Sequence, residues 1–380
     1  MNNTSLSEGE LSFGWSPVFL ITCLVLYSLI IVISILGNIL VCVAICLNDS
    51  LRSSPTMSFI FSLACSDLLI SCLAMPFDAE SLLLKGQWKH GETLCIVWTT
   101  AYLFSVPTSM LTLVALTIDR YKALSDPLRR FRKTKFFSMR CSRIIVVFLW
   151  LYNLAFSLIP VMGWRNFPRY VLDGHCYFNI TPSYSALSSM LHFILPLLII
   201  GGIYFKIYRI SQNVKRCQDL SKVATSSPAD IVCYPTPRDH GRFQRNMKAT
   251  KTIALIISVL FVCWFPHSIA SLTFSLCKEC YLHSPPEVLT SLLILGYLNS
   301  ALNPFIYSLQ NRKFRATYHA LYLSVRKVGR AASQRSRLSS ISSQRSSICF
   351  TFHNKGRQES VVEQNSSVRM TAYSHSLKSL

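Results

Sequence analysis

Long apolar runs alternate with short polar segments along most of this chain. Between Cys95 and Asp119 there is no Asp, Glu, Lys, Arg or His, and about 20 apolar residues are enough to cross the hydrocarbon core of a bilayer. Six other long runs are also mainly apolar. The pattern predicts an all-α membrane protein, a seven-transmembrane helix bundle. The predicted spans lie at about Pro17 to Cys46, Met57 to Phe77, Cys95 to Tyr121, Cys141 to Met162, Ser183 to Ile210, Met247 to Phe274 and Pro286 to Leu309.

The polar segments divide the chain into four regions. We expect an extracellular tail, the bundle, a short amphipathic eighth helix and a disordered cytoplasmic tail, at residues 1–17, 18–310, 311–328 and 329–380. In the third region Tyr318, Leu321 and Val325 recur near the helical period beside the cations of Asn311 to Arg315, which is typical of a helix lying in the inner membrane interface. The fourth region is rich in serine and arginine, a composition that does not support a packed core.

Composition agrees with a membrane protein and decides its orientation. The chain is 51% hydrophobic and 14% charged, which is too apolar for a soluble protein of 380 residues. A net charge of +21 would suggest a nucleic-acid partner in a soluble protein. Here the Lys and Arg lie almost wholly on one side of the spans, as they do in cytoplasmic loops. We therefore predict a multi-pass plasma membrane protein with its N-terminus outside, a lipid bilayer partner and no nucleic-acid partner.

Three acidic residues of the second span and its flank attract attention. Asp67 lies deep in the apolar run, where a carboxylate must be neutral, paired or bound to a cation. Asp78 and Glu80 follow the predicted end of this span at Phe77, and Pro76 is expected to kink the helix near that end. We expect both of these later acids to be solvated at the outer rim.

The pair Asp119-Arg120 closes the third span at its cytoplasmic end. Two charges at a membrane boundary are costly, and such a pair indicates a functional site. The alternative is an arginine that simply extends its charged end to the interface.

The outer segments carry cysteines and sugar-attachment signals. An oxidising space allows disulfides there. Asn2 and Asn3 begin two overlapping N-glycosylation sequons on the predicted outside tail. Four cysteines fall in outer positions, namely Cys95, Cys176, Cys277 and Cys280.

The order of the motifs resembles the rhodopsin-like (class A) G-protein-coupled receptors, from about Leu20 to Leu323. The family's motifs fall on the expected spans as Gly37-Asn38, Leu63 to Asp67, Asp119-Arg120-Tyr121, Trp150, Pro196, Tyr204, Cys263-Trp264-Phe265-Pro266 and Asn303-Pro304-Phe305-Ile306-Tyr307. The resemblance implies a receptor, not an enzyme, that binds an extracellular small molecule and activates heterotrimeric G proteins. It also implies that arrestin and receptor kinases act on the serine-rich tail. A membrane transporter is a remote alternative, although no internal repeat is visible.

The resemblance implies two disulfides. Cys95 and Cys176 would join the second outside loop to the third span, the alternative being two free thiols. Cys277 and Cys280 would close a small loop, and a zinc site is the alternative there, although Cys-x-x-Cys supplies only half of the usual ligands.

The resemblance also implies a sodium site and an inner switch. Sodium would be an allosteric ion bound by oxygen-bearing side chains, the alternative being a protonated Asp67 held by the same neighbours. The implied sodium ligands are Asp67, Ser109, Asn299, Ser300 and Asn303. The switch would release Arg120 from Asp119 so that it turns toward tyrosines of other spans, with Leu128 contacting the G protein. The implied switch residues are Asp119, Arg120, Tyr121, Leu128, Tyr204 and Tyr307.

Basal activity is expected from the inner end of the sixth span. Many members of the family carry an acid there that pairs with the third-span arginine. The corresponding residue here is Asn246, and its neighbours Arg245 and Lys248 are cationic. This lock is missing, so we predict signalling without ligand.

The ligand pocket implied by the resemblance combines aromatic walls with neutral hydrogen-bonding groups. Its predicted residues are Trp98, Tyr102, Val106, Phe178, Ser188, Ser189, His192, Trp264, His267 and Tyr297. Amine receptors have an aspartate at the position of Tyr102, and opsins have a lysine at that of Tyr297. We therefore predict a neutral or lipid-like ligand, with a biogenic-amine or adenosine-type receptor of atypical pocket as the alternative.

Overall fold

Seven helices of this protein are long and apolar enough to cross a membrane. The computed structural model describes residues 15–125, 138–223, 237–277, 279–280, 283–310, 313–324 and 326–327. Asn2, Asn3, Leu128 and the predicted tail at 329–380 lie outside the described residues. The first to seventh spans run over Pro17–Leu47, Pro55–Leu83, Gly91–Ser125, Met139–Leu158, Pro182–Asn213, Ile257–Leu276 and Glu287–Ser308.

Three of these spans belong to longer helices. The fifth consists of an α-helix at Pro182–Ser189, a π-helical turn at Met190–Ile194 and an α-helix at Leu195–Val223. Single π-turns inside helices are frequent at functional sites. The helices of the sixth and seventh spans cover Pro237–Leu276 and Pro286–Gln310.

The second span corrects the sequence prediction. Its helix is interrupted at Ala74 and resumes as Met75–Leu83, so it continues past the predicted end at Phe77. Pro76 stands in the first turn of the resumed helix, where backbone N–H groups have no intrahelical acceptor and proline is tolerated. Asp78 and Glu80 are therefore helical residues, and the prediction of a solvated rim loop is wrong.

The first span packs closely against the seventh. A Cβ at Gly37 would approach Cγ of Pro304 to 2.7 Å, so only glycine allows the two helices to come this near. Asn38 donates a hydrogen bond of 3.0 Å from Nδ2 to the backbone oxygen of Ser300. The amide thus has the internal partner that an apolar medium demands. The fourth span is tied to the second by Trp150, whose Nε1 donates to Ser62 Oγ at 2.9 Å.

A short hairpin covers the outer end of the bundle. Strand β1, Val171–Leu172, pairs antiparallel with strand β2, His175–Cys176. Cys176 forms a disulfide with Cys95 of the third span, and Cys277 forms one with Cys280. Both predicted disulfides are confirmed.

The inner end carries a further helix at residues 313–324. Phe314 is fully buried and stacks on Tyr307, with ring centroids 5.9 Å apart. Asn48 donates from Nδ2 to Thr317 Oγ1 at 2.7 Å. These contacts belong to a compact unit, Met1–Tyr318, and the second unit, His319–Leu380, is described only at 319–324 and 326–327, which are helical.

Candidate functional site

A cavity of about 670 Å³ opens among the third, fifth, sixth and seventh spans below the outer loop. Its walls are mainly aromatic and aliphatic, and its polar groups are hydroxyls and one imidazole. No Asp, Glu, Lys or Arg is among the described residues that line it. They are Tyr102, Leu103, Val106, Pro107, Phe178, Ile180, Thr181, Pro182, Tyr184, Ser185, Ser188, Ser189, Phe193, His267, Ser268, Ser271, Phe274, Ser275, Leu276, Leu289, Thr290 and Leu293.

Six of the ten predicted pocket residues line this cavity, namely Tyr102, Val106, Phe178, Ser188, Ser189 and His267. Tyr102 occupies a central position because its ring faces Phe178 at 5.3 Å and His267 at 6.4 Å between centroids. The third, fifth and sixth spans and the outer loop therefore contribute to one neutral chamber.

The other four predicted pocket residues lie outside the lining. Trp98 is buried and stacks on Trp88 at 5.4 Å between ring centroids. Trp264 and Tyr297 contact the chamber indirectly, since their ring centroids are 6.3 and 6.4 Å from that of Tyr102.

His192, the fourth of these residues, lies on the π-helical turn and is fully buried. Its ring packs edge-to-face on Phe156 at 4.6 Å between centroids. Nδ1 is 3.3 Å from Ser188 Oγ, and Nε2 has no hydrogen-bond partner among the described residues. The imidazole therefore packs behind the residues that line the chamber and does not line it itself.

Sequence reasoning missed most of the remaining lining, including Ser185, Ser275 and Leu293. Ser275 donates a hydrogen bond of 2.7 Å from Oγ to Ser185 Oγ and so joins the sixth span to the fifth. The sequence shows these serines, but it does not show whether a serine hydroxyl bonds to another helix or only to its own. The serines were therefore no clear signal of a chamber wall.

A second polar group lies beside the chamber, between the second and seventh spans. Asp78 is only 9% exposed, and the Tyr297 hydroxyl donates a hydrogen bond of 2.6 Å to its Oδ2. Glu80, two residues further on, instead pairs with Nε2 of His90 at 2.8 Å, and its side chain is 35% exposed. The two acids predicted to share a solvated rim therefore have different surroundings.

Two of the predicted sodium ligands bind Asp67, a buried carboxylate of the second span. Asp67 accepts hydrogen bonds from Ser300 Oγ at 2.7 Å and from Asn303 Nδ2 at 2.8 Å. Ser109 Oγ lies 2.8 Å from the hydroxyl of Ser66. The amide oxygens of Asn299 and Asn303 are buried without a hydrogen-bond partner among the described residues. The Asp67 carboxylate, beside the unpartnered amide oxygen of Asn303, fits a hard cation.

The inner end of the third span holds the predicted switch in a closed arrangement. Arg120 forms an ion pair with Asp119 and donates a hydrogen bond to Thr56. Thr56 in turn donates from Oγ1 to Asp119 Oδ2 at 2.8 Å. This contribution of the second span was not found from the sequence. Arg120 is therefore held by Asp119 of its own span and by Thr56 of the second span.

The three tyrosines assigned to the switch take no part in that network. Tyr121 packs against the apolar cluster of Leu124 and Ile207, together with Tyr204. The hydroxyls of Tyr204 and Tyr307 are buried and have no hydrogen-bond partner among the described residues. Arg120 nevertheless interacts electrostatically with Tyr204, which lies near it. The Tyr204 hydroxyl thus offers an acceptor close to a restrained guanidinium.

Seven helices long enough to span a membrane, an outer chamber and an Asp–Arg pair at the inner end are the features of a membrane receptor. The model of the family described as 7 transmembrane receptor (rhodopsin family) matches residues 37–307. The chain therefore belongs to the rhodopsin family of seven-transmembrane receptors. It is a multi-pass plasma membrane protein and a non-enzymatic G-protein-coupled receptor, which removes the transporter alternative.

Within this family the chain is similar to several receptors with amine names. It is 33% identical to the histamine H2 receptor of Rattus norvegicus over 307 residues, which cover 80% of this chain and 79% of that receptor. It is 30% identical to the 5-hydroxytryptamine receptor 4 of Homo sapiens over 319 residues, 80% of each chain. It is 31% identical to the octopamine receptor beta-1R of Drosophila melanogaster over 307 residues, 76% of this chain and 59% of that receptor.

Proposed function

We propose that this receptor binds an extracellular small molecule in the chamber that Tyr102 lines and that ligand binding activates heterotrimeric G proteins. The observation that carries the proposal is the chamber itself, which has about 670 Å³ of space and a mainly apolar wall. Small-molecule sites have volumes of roughly 300–1,000 Å³ and a few polar groups that orient the ligand. Ser188, Ser189 and His267 are such groups.

The ligand body is neutral or lipid-like. The described lining contains no charged side chain, so a charged group placed in this chamber would lose its hydration without gaining a partner. A biogenic amine is the second candidate. Two observations favour it, namely the buried Asp78 close to the chamber and the amine names of the similar receptors.

The signal passes to the inner end through a change between two arrangements. In the arrangement described here Asp119 and Thr56 hold Arg120. In the active arrangement the sixth span moves outward and Arg120 turns toward Tyr204 and Tyr307. A groove then opens for an amphipathic helix of the G protein. A ligand drives this change only by binding the active arrangement more tightly.

Sodium acts as an allosteric ion at Asp67. The residues that would hold it are the sequence-predicted set, supported by the unpartnered oxygens of Asn299 and Asn303. The ion would supply a fixed positive charge beside the carboxylate. Its loss would change the charge of the bundle centre and so couple the ligand chamber to the inner end.

Three further parts of the proposal rest on segments outside the described residues or side chains. The sixth span lacks an acid at Asn246, which supports ligand-independent signalling. The serine-rich tail at 329–380 supports phosphorylation by receptor kinases and binding of arrestin. Leu128 supports contact with the G protein.

The proposal is tested by nucleotide exchange on a purified G protein mixed with the reconstituted receptor. Arg120→Ala should abolish receptor-stimulated exchange because the residue acts in the open groove, while surface expression stays at the wild-type level. Arg143→Ala is the matched control, since Arg143 is an exposed cation near the inner end of the fourth span. Wild-type exchange by the Arg120 variant would contradict the proposed switch.

A further inference from the structure

Asp78 is a buried carboxylate in the outer half of the bundle with no cationic partner among the described residues. Its one hydrogen bond comes from a neutral donor, the hydroxyl of Tyr297. The indole of Trp98, a second neutral group, also lies near this carboxyl. A carboxylate in an apolar bundle is costly unless it is paired, and the described protein supplies no cation here.

The surroundings of Asp78 are aromatic. Tyr297, whose hydroxyl donates to the carboxyl, has two further phenols packed beside it, those of Tyr27 and Tyr102. The ring of Tyr297 is 6.1 Å from that of Tyr27 and 6.4 Å from that of Tyr102 between centroids. Aromatic faces attract cations, and they do so best where water is excluded. An anion surrounded by such rings matches an organic ammonium group.

Tyr102 joins this aromatic cluster to the neutral chamber. Tyr102 lines the chamber and also packs against Tyr297, the residue that holds Asp78. A rotation of the Tyr102 ring would give a ligand in the chamber a path to Asp78. The chamber itself has no charged lining, so a ligand with a charged group would have to reach Asp78 past Tyr102.

We infer that Asp78 and the rings of Tyr27, Tyr102 and Tyr297 form a binding site for the ammonium group of the ligand, whose apolar body occupies the chamber. The inference rests on the proposed function and adds a charged end to the lipid-like ligand. The ligand class is then an amphipathic amine. A hard inorganic cation fits less well because it needs about six oxygen ligands, and the described surroundings of Asp78 are mostly ring carbons.

Glu80 separates the effect of this site from a general effect of negative charge. It lies on the same helix, it is more exposed, and His90 already pairs with it. Glu80→Gln removes the same charge as Asp78→Asn without touching the aromatic cluster. Asn keeps the shape of Asp78 and still accepts the hydrogen bond from Tyr297, so the variant should fold.

The test uses purified full-length receptor in lipid nanodiscs and measures Tm against ligand concentration. The probes are 2-phenylethylamine and octylamine, each paired with the alcohol of the same carbon skeleton. Because a bound ligand raises Tm by mass action, apparent affinities follow from the concentration dependence. We expect the amines to bind wild type and Glu80→Gln more tightly than the alcohols do. In Asp78→Asn amine binding should weaken by about 10- to 150-fold, the value of a hydrogen bond to a charged group, while alcohol binding stays unchanged.

Three results would overturn the inference. They are equal binding of amines and alcohols by wild type, an amine preference that survives in Asp78→Asn, and an equal loss of that preference in Glu80→Gln. None of them touches the proposed function, which is judged by G-protein exchange with the Arg120→Ala variant. Conversely, an Asp78-dependent amine shift without any stimulated exchange would keep this binding site and contradict the proposed function.

Discussion

Trp264 of the sixth span lies directly against Gly296 of the seventh. A Cβ built at Gly296 would meet three ring carbons of the indole at 3.0 to 3.1 Å, closer than ordinary van der Waals contact. The same indole faces Tyr102 of the chamber. The absence of a side chain at Gly296 therefore sets the position of a ring that adjoins the chamber.

Gly296→Ala should lower the stability of the receptor. The added methyl group has no room, and overpacking of a well-packed core costs about 1–3 kcal/mol. Tm of the purified receptor measures this effect. Gly202→Ala is the control, because a Cβ there meets nothing within 4 Å and alanine favours a helix over glycine. A Tm of Gly296→Ala equal to or above that of the wild-type receptor would show that the Trp264 indole can shift to accommodate the methyl group.

Thr56→Ala should raise signalling without ligand. Its hydroxyl binds both members of the Asp119 and Arg120 pair, and a hydrogen bond to a charged group contributes about 1.5–3 kcal/mol. Part of that restraint is lost, so we expect about a tenfold or greater shift toward the active arrangement. Basal nucleotide exchange at matched receptor concentration measures it. Thr117→Ala should change nothing, since that hydroxyl bonds to Leu113 of its own helix.

Sodium should stabilise the receptor and Asp67→Asn should remove the effect. At a sodium concentration ten times its Kd, mass action adds about 1.4 kcal/mol to the free energy of unfolding. The measurement is Tm in sodium chloride against potassium chloride at equal ionic strength. Asp49→Asn is the control, because Asp49 is an exposed acid at the inner surface. Equal sodium dependence in Asp67→Asn and wild type would exclude this site.

Asn246→Glu should reduce basal signalling. The new carboxylate would pair with Arg120 and restore the restraint that the sequence lacks at this position. A pair near the surface contributes up to about 1 kcal/mol, so a decrease of about two- to fivefold is expected at matched surface expression. Asn213→Glu adds the same charge at an exposed site of the fifth span and serves as control. A wild-type receptor without measurable basal signalling would contradict the expectation that the missing acid at Asn246 allows ligand-independent activity.

The spans and the orientation were predictable because hydrocarbon imposes a length and loops carry a charge bias. The second span shows where this reasoning ends. Pro76 equally fits the end of one helix and the first turn of the next, and only the break at Ala74 decides. Because the helix resumes after this break, Asp78 lies within the bundle and not in a solvated loop.

The candidate site was predictable only in part. Ser188, Ser189 and His192 are close neighbours in sequence, yet the serines line the chamber while the histidine packs behind it. The π-helical turn at Met190–Ile194 changes the direction of side chains between them. Thr56 was missed because its role depends on contact across 63 positions of sequence.

The close approach of Gly37 to Pro304 has a mechanical consequence. This contact and the hydrogen bond from Asn38 to Ser300 hold the first helix tightly against the seventh, although the two are distant in sequence. The first and seventh helices should therefore move together as one rigid body when the receptor is activated. A pair of spin labels on their inner ends would keep a constant separation on activation, while labels on the inner end of the sixth helix would move away from both.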